Sequence, residues 1–140
     1  MADLPALLVV SALLGQGRRL HELSLMLTLA GLVAAIVAGP TVPVIGLSVV
    51  LLVVACAEIW LAVRVGFDAA LFRQLATGRI DLPNLDAGLN RAGLVPPTVV
   101  QRSLDSRISG AKRLLTQQAA VVVGQLAMVV ALIVTAWSQR

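Results

Sequence analysis

The sequence predicts an all-α polytopic membrane protein. Its expected parts are a transmembrane helical hairpin, a third transmembrane helix, a short interfacial or re-entrant helix at the N-terminus, and helical extensions on the cytoplasmic side. Two observations carry this. Hydrophobic residues make up 59% of the 140 residues and charged ones 13%, against about 45–50% and about 25% in soluble domains. A chain this small leaves much of itself at the surface, so it cannot hide that much apolar side chain from water. The apolar residues are also gathered into three long runs, with the basic residues placed between them. An ordinary soluble enzyme and a disordered tail are both excluded.

The elements follow in order. Leu4 to Leu14 is apolar except for Ser11 and would cover roughly 16 Å as a helix, about half a bilayer core. Asp3 and the absence of Lys or Arg before it, with Gly15-Gln16-Gly17-Arg18-Arg19 after it, do not fit a cleaved signal peptide. The segment reads as an uncleaved helix lying in the interface or dipping into the membrane. Gly15 and Gly17 are expected to break it, and Arg18, Arg19 and His21 form a basic collar that completes residues 1–22. Span one, Leu23 to Gly39, carries no charge and reaches about 25 Å. Gly39-Pro40 stops it, and Thr41, Val42 and Pro43 complete an uncharged turn. Span two, Val44 to Gly66, is apolar but for Ser48, Glu58 and Arg64. The two spans make the hairpin of residues 23–66.

Residues 67–118 form the cytoplasmic segment. The helix of span two is expected to run on to a stop at Gly78, with Val63, Phe67, Ala70 and Leu71 on one face and Phe72 off it. Asp81 is a candidate N-cap with Pro83 in the first turn. Leu82, Leu85 and Leu89 share a face of a short helix that Gly93 closes. Val95-Pro96-Pro97 is a stiff joint, and Thr98 to Gln101 fits a capping box. A long helix then carries an apolar stripe of Val100, Leu104, Ile108, Ala111 and Leu115, opposite Arg102, Ser106, Ser109 and Arg113. It leads into span three, Ala119 to Trp137, within the final segment 119–140.

Charge sets the orientation. Of the 11 Lys and Arg, all but Arg140 lie before span one, at the end of span two (Arg64) or between spans two and three. The positive-inside rule puts those regions in the cytoplasm and the C-terminus outside. The preference for Arg over Lys and the compact loops suggest a bacterial inner membrane.

Glu58 is the outstanding residue. An acid near the bilayer centre costs at least ~2.5–3.5 kcal/mol, so it faces protein or water. Counting inward from the cytoplasmic ends puts Thr28 and Gln125 at similar depth, which predicts a polar layer of Thr28, Glu58 and Gln125. Such a layer is an interhelical staple, a proton or ion site, or a contact with another subunit. Small residues recur at Gly31, Ala35 and Gly39 in span one and at Ala120 and Gly124 in span three, and such faces allow close helix approach. Arg18, Arg19, Arg64, Lys112 and Arg113 are placed to hold anionic headgroups. His21-Glu22 beside Arg18-Arg19 reads as a solvated collar, and Cys56 as a buried small hydrophobe. With one Cys and one His, neither an intramolecular disulfide nor a Cys/His zinc site is expected. No catalytic set, cofactor motif or metal motif is present. Aromatics are 3% with no Tyr, so base-stacking platforms for nucleic acid are not expected. The expected function is a non-catalytic subunit or accessory protein of a larger inner-membrane complex. The alternative is a homo-oligomeric transporter or channel component with Glu58 as its ion or proton site. The partners expected are the lipid bilayer with its anionic headgroups, and either a larger complex or further copies of the chain.

Overall fold

Three stretches of the chain repeat an inward-facing row every seven residues, the spacing that lets helices wind round one another with a shared seam. In one, Val44, Leu51, Glu58, Val65 and Phe72 are buried, flanked by Ala55, Ala69 and Ala76. In another, Ala111, Gln118, Gln125 and Leu132 are buried, with Val122 and Val129 beside them. In the N-terminal stretch the rows are Leu7 and Leu14, and Val10, Gly17, Ser24 and Gly31.

The computed structural model, which describes residues 4–91, 93 and 104–138, turns these rows into a three-stranded helical bundle. The helices are α1 (Leu4–Gly15), α2 (Gly17–Ala38), α3 (Val42–Ala76), α4 (Leu82–Arg91) and α5 (Leu104–Ser138). Three helical stretches are long and apolar enough to cross a membrane: Leu7–Ala38, Val42–Ala76 and Leu104–Ser138. Direction follows from which residues meet. Gly17 lies against Val65 and Gln118, and Gly31 against Leu51, Val129 and Leu132. Numbers therefore rise together along α2 and α5 and fall along α3, so α3 is antiparallel to both.

The helix stops expected at Gly39, Gly78 and Gly93 are the three glycines with positive φ, a conformation only glycine adopts without strain. Asp81 caps α4 by accepting from the Asn84 N–H at 3.0 Å. The joint at Val95–Pro97, the capping box at Thr98–Gln101, and Val100 and Arg102 lie outside the described residues, as do the side chains of Leu82, Leu85 and Leu89.

The helix break expected at Gly15 and Gly17 falls between them and is slight. Only Gln16 separates α1 from α2, and it keeps helical angles of φ −68° and ψ −21°. The inward rows pass through without slipping, because Val10, Gly17 and Ser24 keep the seven-residue spacing. The short helix α1 therefore continues the inward rows of α2 across the interruption. Leu7, Val10 and Leu14 pack on Val65, Ala69, Phe72, Ala76 and Ala111, the extensions of α3 and α5. Two expectations need correction, the first being the face of α3 beyond Gly66. Phe72 is buried at 4% exposure, while Phe67 stands 47% exposed and Val63 is exposed as well. The α3 row simply continues from Glu58 through Val65. The second is Cys56, which is exposed; it lies off the inward row, on the outer wall of α3.

Candidate functional site

The bundle has a polar centre because one wall of its seam is small. Along α2 the inward positions are Gly17, His21, Ser24 and Thr28, facing Val, Leu and long polar side chains of α3 and α5. Gly17 has no room for a side chain: a Cβ there would stand 2.6 Å from Val65 Cγ1 and 3.1 Å from Gln118 Oε1. That approach brings the Gly17 carbonyl within 3.0 Å of Gln118 Nε2, which donates to it. The same amide nitrogen donates to Glu58 Oε1 at 2.8 Å. The other carboxylate oxygen, Oε2, lies 2.9 Å from His21 Nδ1. Each oxygen of Glu58 is thus held by a different helix of its own chain.

Burial grades across this cluster. Glu58 and Gln118 have no exposure, whereas the His21 side chain is 32% exposed. A hydrogen bond between Nδ1 and Oε2 requires one proton on the line between them, carried by the ring or by the carboxyl group. The pair therefore joins a fully enclosed acid to a side chain that reaches the bundle surface. A second polar contact lies deeper. Gln125 Nε2 donates to Thr28 Oγ1 at 3.3 Å, and Thr28 Oγ1 donates to the Ser24 carbonyl at 2.9 Å. Gln118 Oε1 and Gln125 Oε1 are buried acceptors without a hydrogen-bond partner among the described residues.

The structure thus brings Thr28 and Gln125 together and bonds Glu58 elsewhere. The expected three-residue layer is two networks. The physical reason is register. A hairpin is indexed from its turn, and facing pairs such as Gly17 with Val65 and Gly31 with Leu51 both sum to 82. On that index Glu58 stands level with Ser24 and within reach of His21 one turn nearer the basic end. Sequence reasoning passed over His21 and Gln118 as bonding partners. The signal was the seven-residue spacing: His21 precedes Thr28, and Gln118 precedes Gln125, by one heptad.

The remaining sites sort by position. A Cβ on Gly31 would collide with Leu51 Cδ2 and meet Val129 Cγ2 at 3.2 Å. Ala35 packs partly buried in the cluster around Val44, Leu51, Val129 and Leu132. Gly39 serves the turn. Ala120 is exposed, and nothing lies within 4 Å of a Cβ on Gly124. Arg18, Arg19, Arg64, Lys112 and Arg113 are all exposed. Arg18 pairs with Glu22 at 3.1 Å, and Arg64 stacks over the Trp60 ring at 4.7 Å. Asp68 lies in the field of Arg64 and Arg107. Among the described residues no three His, Cys, Asp or Glu side chains converge on a metal position.

Compared with family models, curated proteins and solved structures, the chain finds no match.

Proposed function

We propose that the chain is a small non-catalytic subunit or accessory protein of a larger bacterial inner-membrane complex. It stabilises or positions its partner through its transmembrane and cytoplasmic helices, with its C-terminus outside. The observation that carries this reading is the closure of the polar centre. Both oxygens of Glu58 are bonded within the chain, so the most costly group in the membrane serves to hold three helices in one register. What the bundle offers outward is apolar: Met26, Ile36, Val53, Val123 and Val134 are among its exposed side chains. In this reading the protein uses no cofactor and binds no nucleic acid. It meets the bilayer with its anionic headgroups, and a larger complex or further copies of itself.

One observation favours a second reading, an ion- or proton-handling component of a homo-oligomeric transporter. His21 is partly exposed while bonded to the enclosed Glu58, an arrangement that could pass a proton between surface and interior. The substitution Glu58→Gln separates the two. The amide still accepts from Gln118 and can donate to His21, so an accessory protein keeps both complex recovery and the activity of the parent system. An ion or proton site keeps recovery and loses activity, because an amide does not ionise. Lost recovery counts against both. Mass measurement after gentle solubilisation reads the stoichiometry: an unrelated protein at fixed ratio supports the first reading, and a homo-oligomer the second.

A further inference from the structure

The five cations placed for headgroups, Arg18, Arg19, Arg64, Lys112 and Arg113, are not equivalent. Arg18 is engaged by Glu22 and Arg64 by Trp60, but Arg19 and Lys112 have no carboxylate partner among the described residues. Arg19 stands at the lip of an open groove of about 450 Å³ between α2 and α5. The polar groups of the groove, Gln16, Arg19 and Thr116, gather at its shallow end beside Leu115; the deep end is wholly apolar, with Leu20, Leu23 and Ala119. Because α2 and α5 run parallel, shallow and deep mean the same on both walls. Lys112 sits one helical turn before Thr116 on the same face of α5, at the cytoplasmic rim. Long basic side chains at such a rim reach toward the aqueous side while their stems line the apolar wall.

We propose that this groove binds one anionic phospholipid of the cytoplasmic leaflet, with its phosphodiester between Arg19 and Lys112 and an acyl chain along Leu20, Leu23 and Ala119. Three features select this occupant over a partner helix or a second copy. Polarity along the groove follows the order within a phospholipid: cation-binding head first, hydrocarbon after. The apolar lining runs on to the starts of spans one and three, at Leu23 and Ala119. Arg19, in the lining, and Lys112, one turn beyond it, have no carboxylate partner among the described residues. The inference rests on the membrane reading and the charge-derived orientation, and not on the role of Glu58 or on any protein partner.

The test uses the full chain purified in mild detergent and offered phosphatidylglycerol or phosphatidylcholine, with retained lipids counted by native mass spectrometry. One phosphatidylglycerol should be retained in preference to phosphatidylcholine. Arg19→Gln and Lys112→Gln should each weaken that preference about fivefold, while Arg79→Gln, an exposed cation away from the groove, should leave it unchanged. Thr116→Trp, which fills the shallow end from an exposed position, should abolish retention of the single lipid with helicity by circular dichroism intact. Equal retention of the two lipids overturns the proposal. So does an Arg79→Gln loss as large as that of Arg19→Gln, or lipid retention that survives Thr116→Trp. Recovery of the chain as a dimer that Thr116→Trp dissociates assigns the groove to a second copy and also overturns it. Because the assay reads lipid on the isolated chain, its failure leaves the accessory-subunit reading to be decided by complex recovery.

Discussion

Two glycines of the seam are spacers, and a third on the outer wall is not. Gly17 and Gly31 stand where a methyl group would collide with Val65 and Leu51 respectively. Overpacking of this kind costs about 1–3 kcal/mol. We therefore expect Gly17→Ala and Gly31→Ala to lower unfolding resistance in mixed detergent by that amount. Gly124→Ala should be neutral or mildly stabilising, since open space surrounds it and alanine is the better helix former. Equal losses at all three positions would show that the seam is looser than described. The polar side chains make a sharper test. Glu58→Leu and Gln118→Leu break the same bond, so their double variant should fall short of the summed losses, a coupling near the ~0.6 kcal/mol average for such bonds and below ~1.7 kcal/mol. Glu58→Leu with Gln125→Leu should be additive, because Gln125 bonds Thr28 instead. Coupling of Glu58 to Gln125 in place of Gln118 would restore the single layer.

At the scale of elements, the runs from Leu23 and Val44 and the run ending at Trp137 were legible because an apolar run needs only composition to be seen. The stops at Gly39 and Gly78 were legible because glycine alone relieves a left-handed turn. Phase was less so. In a run where nearly every residue is apolar, as in Val49 to Ala57, periodicity carries little contrast, and the inward row must be carried through from polar or small positions. Read from Phe67, the α3 extension chose the wrong face; read from Glu58 by sevens, it reaches Val65 and Phe72. The same weakness hid His21, whose neighbours Arg18, Arg19 and Glu22 made a solvated collar the natural reading. Its bond to Glu58 depends on a register that the turn sets at long range. Two substitutions test the corrected phase. Phe72→Asp places a charge among Leu7, Val10 and Ala111 and should cost several kcal/mol or abolish folding. Phe67→Asp, on the exposed face, should cost under about 1 kcal/mol. Thermal unfolding in detergent compares them, and a larger loss at Phe67 would reverse the assignment.

At the scale of the whole molecule, three helical runs of matching extent stand side by side: Leu4–Ala38 with its one interruption at Gln16, Val42–Ala76 and Leu104–Ser138. At 1.5 Å per residue each is about 52 Å long, against a hydrocarbon core of about 30 Å. In the proposed membrane arrangement roughly 20 Å of bundle stands clear of the core, and the charge pattern assigns that excess to the basic side, where α1 packs on the extensions of α3 and α5. In a chain with Cys56 replaced by Ala, single cysteines at Thr41 and Ser138 should react with an impermeant maleimide added from outside. Cysteines at Arg79 and Ser109 should react only after the membrane is opened. External labelling at Ser109 would invert the topology and with it the leaflet assigned to the lipid groove.

The division of Glu58 between two helices also imposes an order in time. His21 and Glu58 leave the ribosome early, and Gln118 follows 60 residues after Glu58, a delay of roughly 3–12 s at about 5–20 residues per second. During that interval the inserted hairpin can close Oε2 with His21, but Oε1 faces hydrocarbon or whatever polar group a nearby protein lends it. An acid in that condition is costly, and arrival of α5 relieves it. The unfinished chain is thus chemically distinct from the finished one. The second Glu58 oxygen finds its partner within the chain only when the last helix arrives.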